Sequence, residues 1–136
     1  MRVTPTLNFS GSCREAMALY QKAFGGRVAF QLTYREADDP AYLPRLTEEQ
    51  KDCIYHADFL LGDQPVHMCD NFDVDPGVGR ACFLTIAYDT AEEVLAAYAA
   101  LMPGGTVIYP PEATGYSPCR TVLVDRFGIR WGIMVE

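Results

Sequence analysis

The sequence predicts an α+β fold built from two tandem strand-helix-strand-strand-strand units. Three observations carry this. The stretch SCREAMALYQKAFGGRVAF (residues 12–30) recurs in pattern as TAEEVLAAYAALMPGGTVIY (90–109). Each copy is preceded by one β-rich run and followed by three. The whole is 136 residues long, the size of one domain.

The first unit occupies about 1–75 and opens with a strand over residues 3–9. Ser12 and Glu15 have the spacing of a capping box, in which each side chain satisfies a backbone donor at a helix start. Apolar residues follow at 16, 19, 20, 23 and 24, the stripe of an amphipathic helix. Gly25-Gly26 suits a left-handed C-terminal cap. Strands are then expected at 27–34, 53–61 and 65–70.

The second unit, about 76–136, begins with a strand at 81–88. Thr90 and Glu93 repeat the capping box, and the stripe recurs at 94, 97, 98, 101 and 102, always 78 residues after its counterpart. Gly104-Gly105 closes this helix one residue late, after the inserted Pro103. Strands follow at 105–109, 120–124 and 130–135. The joint falls in the turn-rich NFDVDPGVG, 71–79. Residues 35–52 and 110–119 remain as long connections, of a length that often serves as a lid or binding loop.

Composition narrows the function. A net charge of −7 supplies no basic stripe for nucleic acid and disfavours anionic membranes. No apolar run is long enough to span a bilayer, and the N-terminal MRVTPTLNFSGS lacks the apolar core of a signal peptide. The five cysteines, Cys13, Cys53, Cys69, Cys82 and Cys119, include no C-x-x-C pair and read as free thiols in a reducing cytoplasm. DVDPG at 73–77 falls short of a calcium loop, because its glycine is misplaced and its twelfth position is Leu84. Ser10 and Ser12 flank a glycine without forming a nucleophile elbow. Tyr116, Ser117 and Cys119 lie in a loop that could close over a ligand, but read more simply as surface. Glu48 and Glu49 belong to a short solvated turn or helix.

The chemistry concentrates in PVHMCD, 65–70. Gly62-Asp63 reads as a two-residue hairpin turn. Leu61 then opposes Gln64, Asp58 opposes His67, and His56 opposes Cys69. One face of the hairpin carries Tyr55, Ala57, Phe59, Val66 and Met68, and packs under a helix. The other carries His56, Asp58, His67 and Cys69. Such a set has the chemistry to hold zinc or iron, to act as a general base, or simply to form the polar side of a half-solvated hairpin. Adjacent same-face roots on a flat hairpin stand about 5–7 Å apart, so three donors reach one ion only if the strands curl strongly. Pro5, Leu7 and Phe9 share the parity of Phe83 and Thr85, which suggests an apolar surface suited to a small hydrophobic or amphipathic ligand.

TPTLNFSGSCREAMALYQKAFGG, HADFLLGDQPVHMCD and LVDRFGIRWGIMVE resemble the vicinal-oxygen-chelate superfamily, which includes glyoxalase I, extradiol dioxygenases and bleomycin-resistance proteins, and within it the PhnB-like branch. The D-x-F-G-x-x-W run (Asp125, Phe127, Gly128, Trp131) is the most specific piece. The resemblance covers nearly the whole chain as a single domain. It implies two βαβββ modules curving their sheets into a cup, helices on the convex side, and a homodimer. Metal-using relatives place one ligand on the first and fourth strands of each module. Those places fall here on Pro5, His67, Phe83 and Gly132, with the offset of 78 carrying Pro5 to Phe83. Three of the four have no side-chain donor, so the usual metal site is expected to be lost and no cofactor is implied. The expected function is binding of a small organic molecule, with His67 as the reactive or orienting group, Asp58 as its partner, and Pro5, Leu7, His56, Cys69, Phe83 and Gly132 lining the pocket. A metal-dependent lyase or dioxygenase rearranged around His67, and a dimeric interaction module with a vestigial pocket, are the alternatives. The methyltransferase label of some relatives finds no support, since neither glycine pair sits in a cofactor-loop context.

Overall fold

The computed structural model describes residues 1–73 and 81–136. The chain divides into two compact units, Met1–Pro76 and Gly77–Glu136. Most of the expected joint, and most of DVDPG, lies outside the described residues.

The first unit contains β1 (Thr6–Phe9), α1 (Cys13–Phe24), β2 (Arg27–Thr33), β3 (Ile54–Leu61) and β4 (Gln64–Asp70). Its sheet is mixed and ordered β1-β4-β3-β2, with β1 parallel to β4 and the other pairs antiparallel. Residues 35–52 are not irregular. They hold α2 (Tyr34–Ala37), a 3₁₀ turn (Leu43–Arg45) and α3 (Glu48–Lys51). Thr47 and Gln50 cap α3 reciprocally, which gives Glu48 and Glu49 their place on a short solvated helix.

The second unit repeats the plan with β5 (Leu84–Tyr88), α4 (Ala91–Leu101), β6 (Thr106–Glu112), β7 (Arg120–Val124) and β8 (Arg130–Val135), ordered β5-β8-β7-β6. Each unit is therefore α+β, with one long helix against one four-stranded sheet. β6 runs three residues beyond the expected end at 109, which shortens the second long connection. The edge strands β2 and β6 both carry register shifts, and such bulges blunt an exposed edge.

The core of the first unit lies between α1 and the inner side of its sheet. Ala16, Met17, Leu19 and Tyr20 are buried on the helix, and Ala57, Phe59, Val66 and Met68 on the hairpin. Tyr20 sets its ring edge-on to Phe59 at 6.4 Å between centroids. Gly25 then ends α1 at φ +68°, a left-handed conformation that glycine adopts without Cβ strain. In the second unit Val94, Ala97 and Leu101 are buried with Trp131 and Ile133.

The two helices start differently. Thr90 and Glu93 form the expected capping box on α4. Ser12 makes no side-chain cap on α1, contrary to expectation. Asp70 does that work from the far end of β4. Its Oδ1 accepts the N–H groups of Gly11 (2.7 Å) and Cys13 (3.0 Å), and its Oδ2 accepts that of Ile54 (2.9 Å). The Asp70 carbonyl accepts the Tyr34 hydroxyl at 2.6 Å. Burial, with negative charge nearby, pushes that phenol up to about 12. Asp70 is 1% exposed, so its charge is tolerated through these donors. α4 also ends differently: Met102 stays right-handed, and the positive φ falls on Gly104, after Pro103.

Replacing Asp70 by alanine strands three amide donors, two at the start of α1 and one at the start of β3. At roughly 1–3 kcal/mol for each buried group left unpaired, chemical denaturation should show a loss of about 3 kcal/mol or more. A loss below 1 kcal/mol would mean that water replaces the carboxylate and that Asp70 is not the tie described here.

Candidate functional site

The β3–β4 hairpin fixes which side chains share a face. Its observed register pairs Leu61 with Gln64, Phe59 with Val66, Asp58 with His67 and Ala57 with Met68, as expected. Alternation along each strand then turns Ala57, Phe59, Val66 and Met68 toward α1. His56, Asp58, His67 and Cys69 occupy the opposite, open face.

Three of those four converge. The Nε2 of His56 lies 3.0 Å from Oδ1 of Asp58, and the Nε2 of His67 lies 3.4 Å from the same oxygen. The imidazoles stand 5.0 Å apart in an edge-to-face arrangement. One donor atom from each residue lies within 4.8 Å of the other two. The spacing expected of a flat hairpin therefore does not keep these groups apart. All three side chains are about two-fifths exposed, open to a solute yet partly desolvated.

Neighbouring strands frame the cluster. On β2, Phe30 pairs with Asp58 and Leu32 with His56. The Phe30 ring lies 6.3 Å from the His56 imidazole and is half exposed. On β1, Thr6 pairs with His67 and Asn8 with Cys69. Cys69 stays outside the convergent group and donates its thiol to Oδ1 of Asn8 at 3.0 Å. Burial, with the Asp70 charge next to it, pushes this thiol up, so at neutral pH it is a protonated donor. The arrangement offers two imidazoles and a carboxylate, for hydrogen bonding, proton transfer or metal ligation, beside an apolar wall.

The other expected lining residues are placed elsewhere. Leu7 pairs with Met68 and Phe9 is buried, so both belong to the helix-packed face. Pro5 precedes β1, and its carbonyl accepts the His67 N–H at 2.9 Å. The strand parity was misjudged because the helix offset of 78 does not hold for the strands. Thr6 pairs with His67 and Thr85 with Gly132, and these threonines are 79 residues apart. The connection from β1 to α1 spans residues 10–12, whereas that from β5 to α4 spans only 89–90. In the second unit Phe83 lies just ahead of β5 and sits against Gly132. A Cβ at Gly132 would stand 2.9 Å from the Phe83 ring and from Oγ1 of Thr85. Gly132 is thus the seat of Phe83, where any larger side chain would have to displace the ring.

Sequence reasoning missed a concavity away from the hairpin face. Tyr34, Tyr42, Arg45, Leu46, Gln50, Asn71, Phe72 and Asp73 line a pocket of about 230 Å³. Arg45 lies over the Tyr42 ring and pairs with Asp73 at 3.3 Å, so its charge is already matched. The only forewarning was the length of 35–52. The D-x-F-G-x-x-W run proves architectural. Asp125 accepts the N–H groups of Phe127 and Ile129 and the indole N–H of Trp131, at 2.9, 3.1 and 2.9 Å, which closes the β7–β8 turn.

Comparison with known proteins extends the picture. Residues 3–133 match the family model for the Glyoxalase/Bleomycin resistance protein/Dioxygenase superfamily. Protein YjdN of Escherichia coli is 22% identical over 140 residues, covering 99% of this chain and 95% of that protein. Protein PA1353 of Pseudomonas aeruginosa has a similar structure, with a TM-score of 0.83, 28% identity, and coverage of 100% of this chain and 98% of the other. A PhnB protein from Bacillus cereus shares the fold at a TM-score of 0.82 and 21% identity, each chain fully covered.

Proposed function

The chain belongs to the Glyoxalase/Bleomycin resistance protein/Dioxygenase superfamily, and on that premise we propose that it is a PhnB-like protein that binds a small organic molecule on the open face of its first sheet. The observation that supports this reading is the convergence of His56 and His67 on Asp58 beside the half-exposed ring of Phe30. A few convergent polar groups next to an apolar wall are what a small amphipathic ligand needs for orientation and for burial. His67 is the group proposed to touch the ligand, with Asp58 3.4 Å from its Nε2 and His56, hydrogen-bonded to Asp58, completing the polar patch.

The superfamily's usual metal quartet does not fit these residues. Of the four places first assigned, Pro5, Phe83 and Gly132 offer no donor. Re-reading the strand register replaces Pro5 and Phe83 by Thr6 and Thr85, neutral hydroxyls and poor ligands beside imidazole or carboxylate.

We further propose that the two units act as one domain in a cytoplasmic homodimer. Free cysteines and the absence, among the described residues, of a helix long and apolar enough to cross a membrane are consistent with this setting. Sedimentation equilibrium should give twice the chain mass at micromolar concentration, and a monomer there would contradict the dimer.

Binding is tested by screening small aromatic acids and phenols while following backbone amide signals. Hits should shift His56, Asp58, His67 and Phe30 together, and His67→Ala should weaken them about tenfold, the equivalent of one lost charged or polar contact. Hits that shift only residues around Tyr42 and Arg45 would move the site to the pocket they line and defeat this reading.

A further inference from the structure

We propose that His56, Asp58 and His67 form a binding site for a divalent first-row transition-metal ion, set wholly on the β3–β4 hairpin of the first unit. This goes beyond the binding of an organic molecule and does not depend on it. It also differs from the metal arrangement implied by the family resemblance, which draws its ligands from the first and fourth strands of both units.

The geometry carries the inference. Metal–nitrogen and metal–oxygen bonds of about 2.0–2.2 Å separate neighbouring donors by about 3.4 Å around a tetrahedral ion, and by about 3.0 Å around an octahedral one. The two observed separations from Asp58 Oδ1 are 3.0 Å to His56 Nε2 and 3.4 Å to His67 Nε2. These lengths match the edges of a coordination polyhedron. One donor from each residue falls within 4.8 Å of the other two, and the partly exposed imidazoles can rotate to close the third edge. Among the described residues this is the group of three or more such side chains with donors so close.

The donor set selects the ion. Two imidazoles and one carboxylate suit zinc, iron, cobalt, nickel or copper, whereas magnesium and calcium favour oxygen alone. Cys69 does not join, since its thiol is turned to Asn8 and donates to Oδ1 there at 3.0 Å. Three protein ligands leave at least one position for water or for an oxygen of a bound molecule, and the partial exposure of all three side chains gives access to it. The net charge of −7 favours the approach of a cation.

The test uses the full chain without an affinity tag, stripped by chelator and desalted. Cobalt(II) is titrated in while visible absorption is recorded, and zinc is then added in competition. The expected result is one cobalt per chain, saturating at micromolar concentration, with d–d bands of low coordination number, no thiolate charge-transfer band, and full displacement by zinc. His56→Gln, Asp58→Asn and His67→Gln should each weaken binding by more than about 100-fold, above the 10–100-fold typical of groups that only support a ligand. Cys82→Ser, which removes an exposed thiol, should leave the titration unchanged. Circular dichroism of each variant separates lost binding from lost fold, and any one folded variant of the three suffices. Absence of saturable binding, or binding that survives in the folded variants, would overturn the proposal.

Discussion

The first unit depends on the carboxylate of Asp70. It is almost fully buried, and its two oxygens take amide donors from the start of α1 and from the start of β3. One side chain thus ties the end of β4 to a helix and to the neighbouring strand. Hydrogen bonds to a charged acceptor contribute about 1.5–3 kcal/mol each, and the cost of burying the charge makes every one of them necessary. With the end of β4 held in this way, the hairpin register cannot slip by one residue without breaking the tie. A slip of one would turn His67 toward α1 and Met68 toward solvent. The chemistry of the open face is therefore set by an aspartate three residues beyond it.

The second unit solves a similar problem with Asp125, also almost fully buried, which gathers two backbone donors and the indole of Trp131 at the β7–β8 turn. In each unit one buried carboxylate fixes strand ends around an apolar core. The open faces differ sharply. That of the first unit carries two imidazoles and a carboxylate, whereas in the second Gly132 and Phe83 fill the position corresponding to His67 with a ring lying against a bare backbone. Common architecture with unequal faces is what a duplicated fold permits, because the helix-packed side is constrained by the core and the open side is not.

Much of this was legible in the sequence. The hairpin register followed from Gly62-Asp63 and from alternation, both of them local signals. The helix stripes, the cap at Thr90 and the strands β7 and β8 were local in the same sense. What escaped detection was non-local. Ser12 has the composition of a cap, but the acceptor that displaces it lies 57 residues from Cys13 in sequence. The face of Leu7 was misread because a connection one residue longer shifts strand parity while leaving helix spacing intact. The convergence of His56, Asp58 and His67 depends on side-chain conformation, which an ideal pleat does not describe. The helices within 35–52 are single turns, too short to show a periodicity.

The account rests on both imidazoles gathering at one carboxylate oxygen, with His56 hydrogen-bonded to it at 3.0 Å and His67 lying 3.4 Å from it, and nitrogen-15 NMR of the metal-free protein reads this directly. For His56 to donate to Asp58, its neutral ring must carry its proton on Nε2. Long-range proton–nitrogen spectra at a pH where both rings are neutral should show the Nε2-protonated tautomer for His56. Asp58→Asn should move both sets of signals together. His56 in the Nδ1-protonated form, or either ring indifferent to Asp58→Asn, would show that the cluster does not act as a unit.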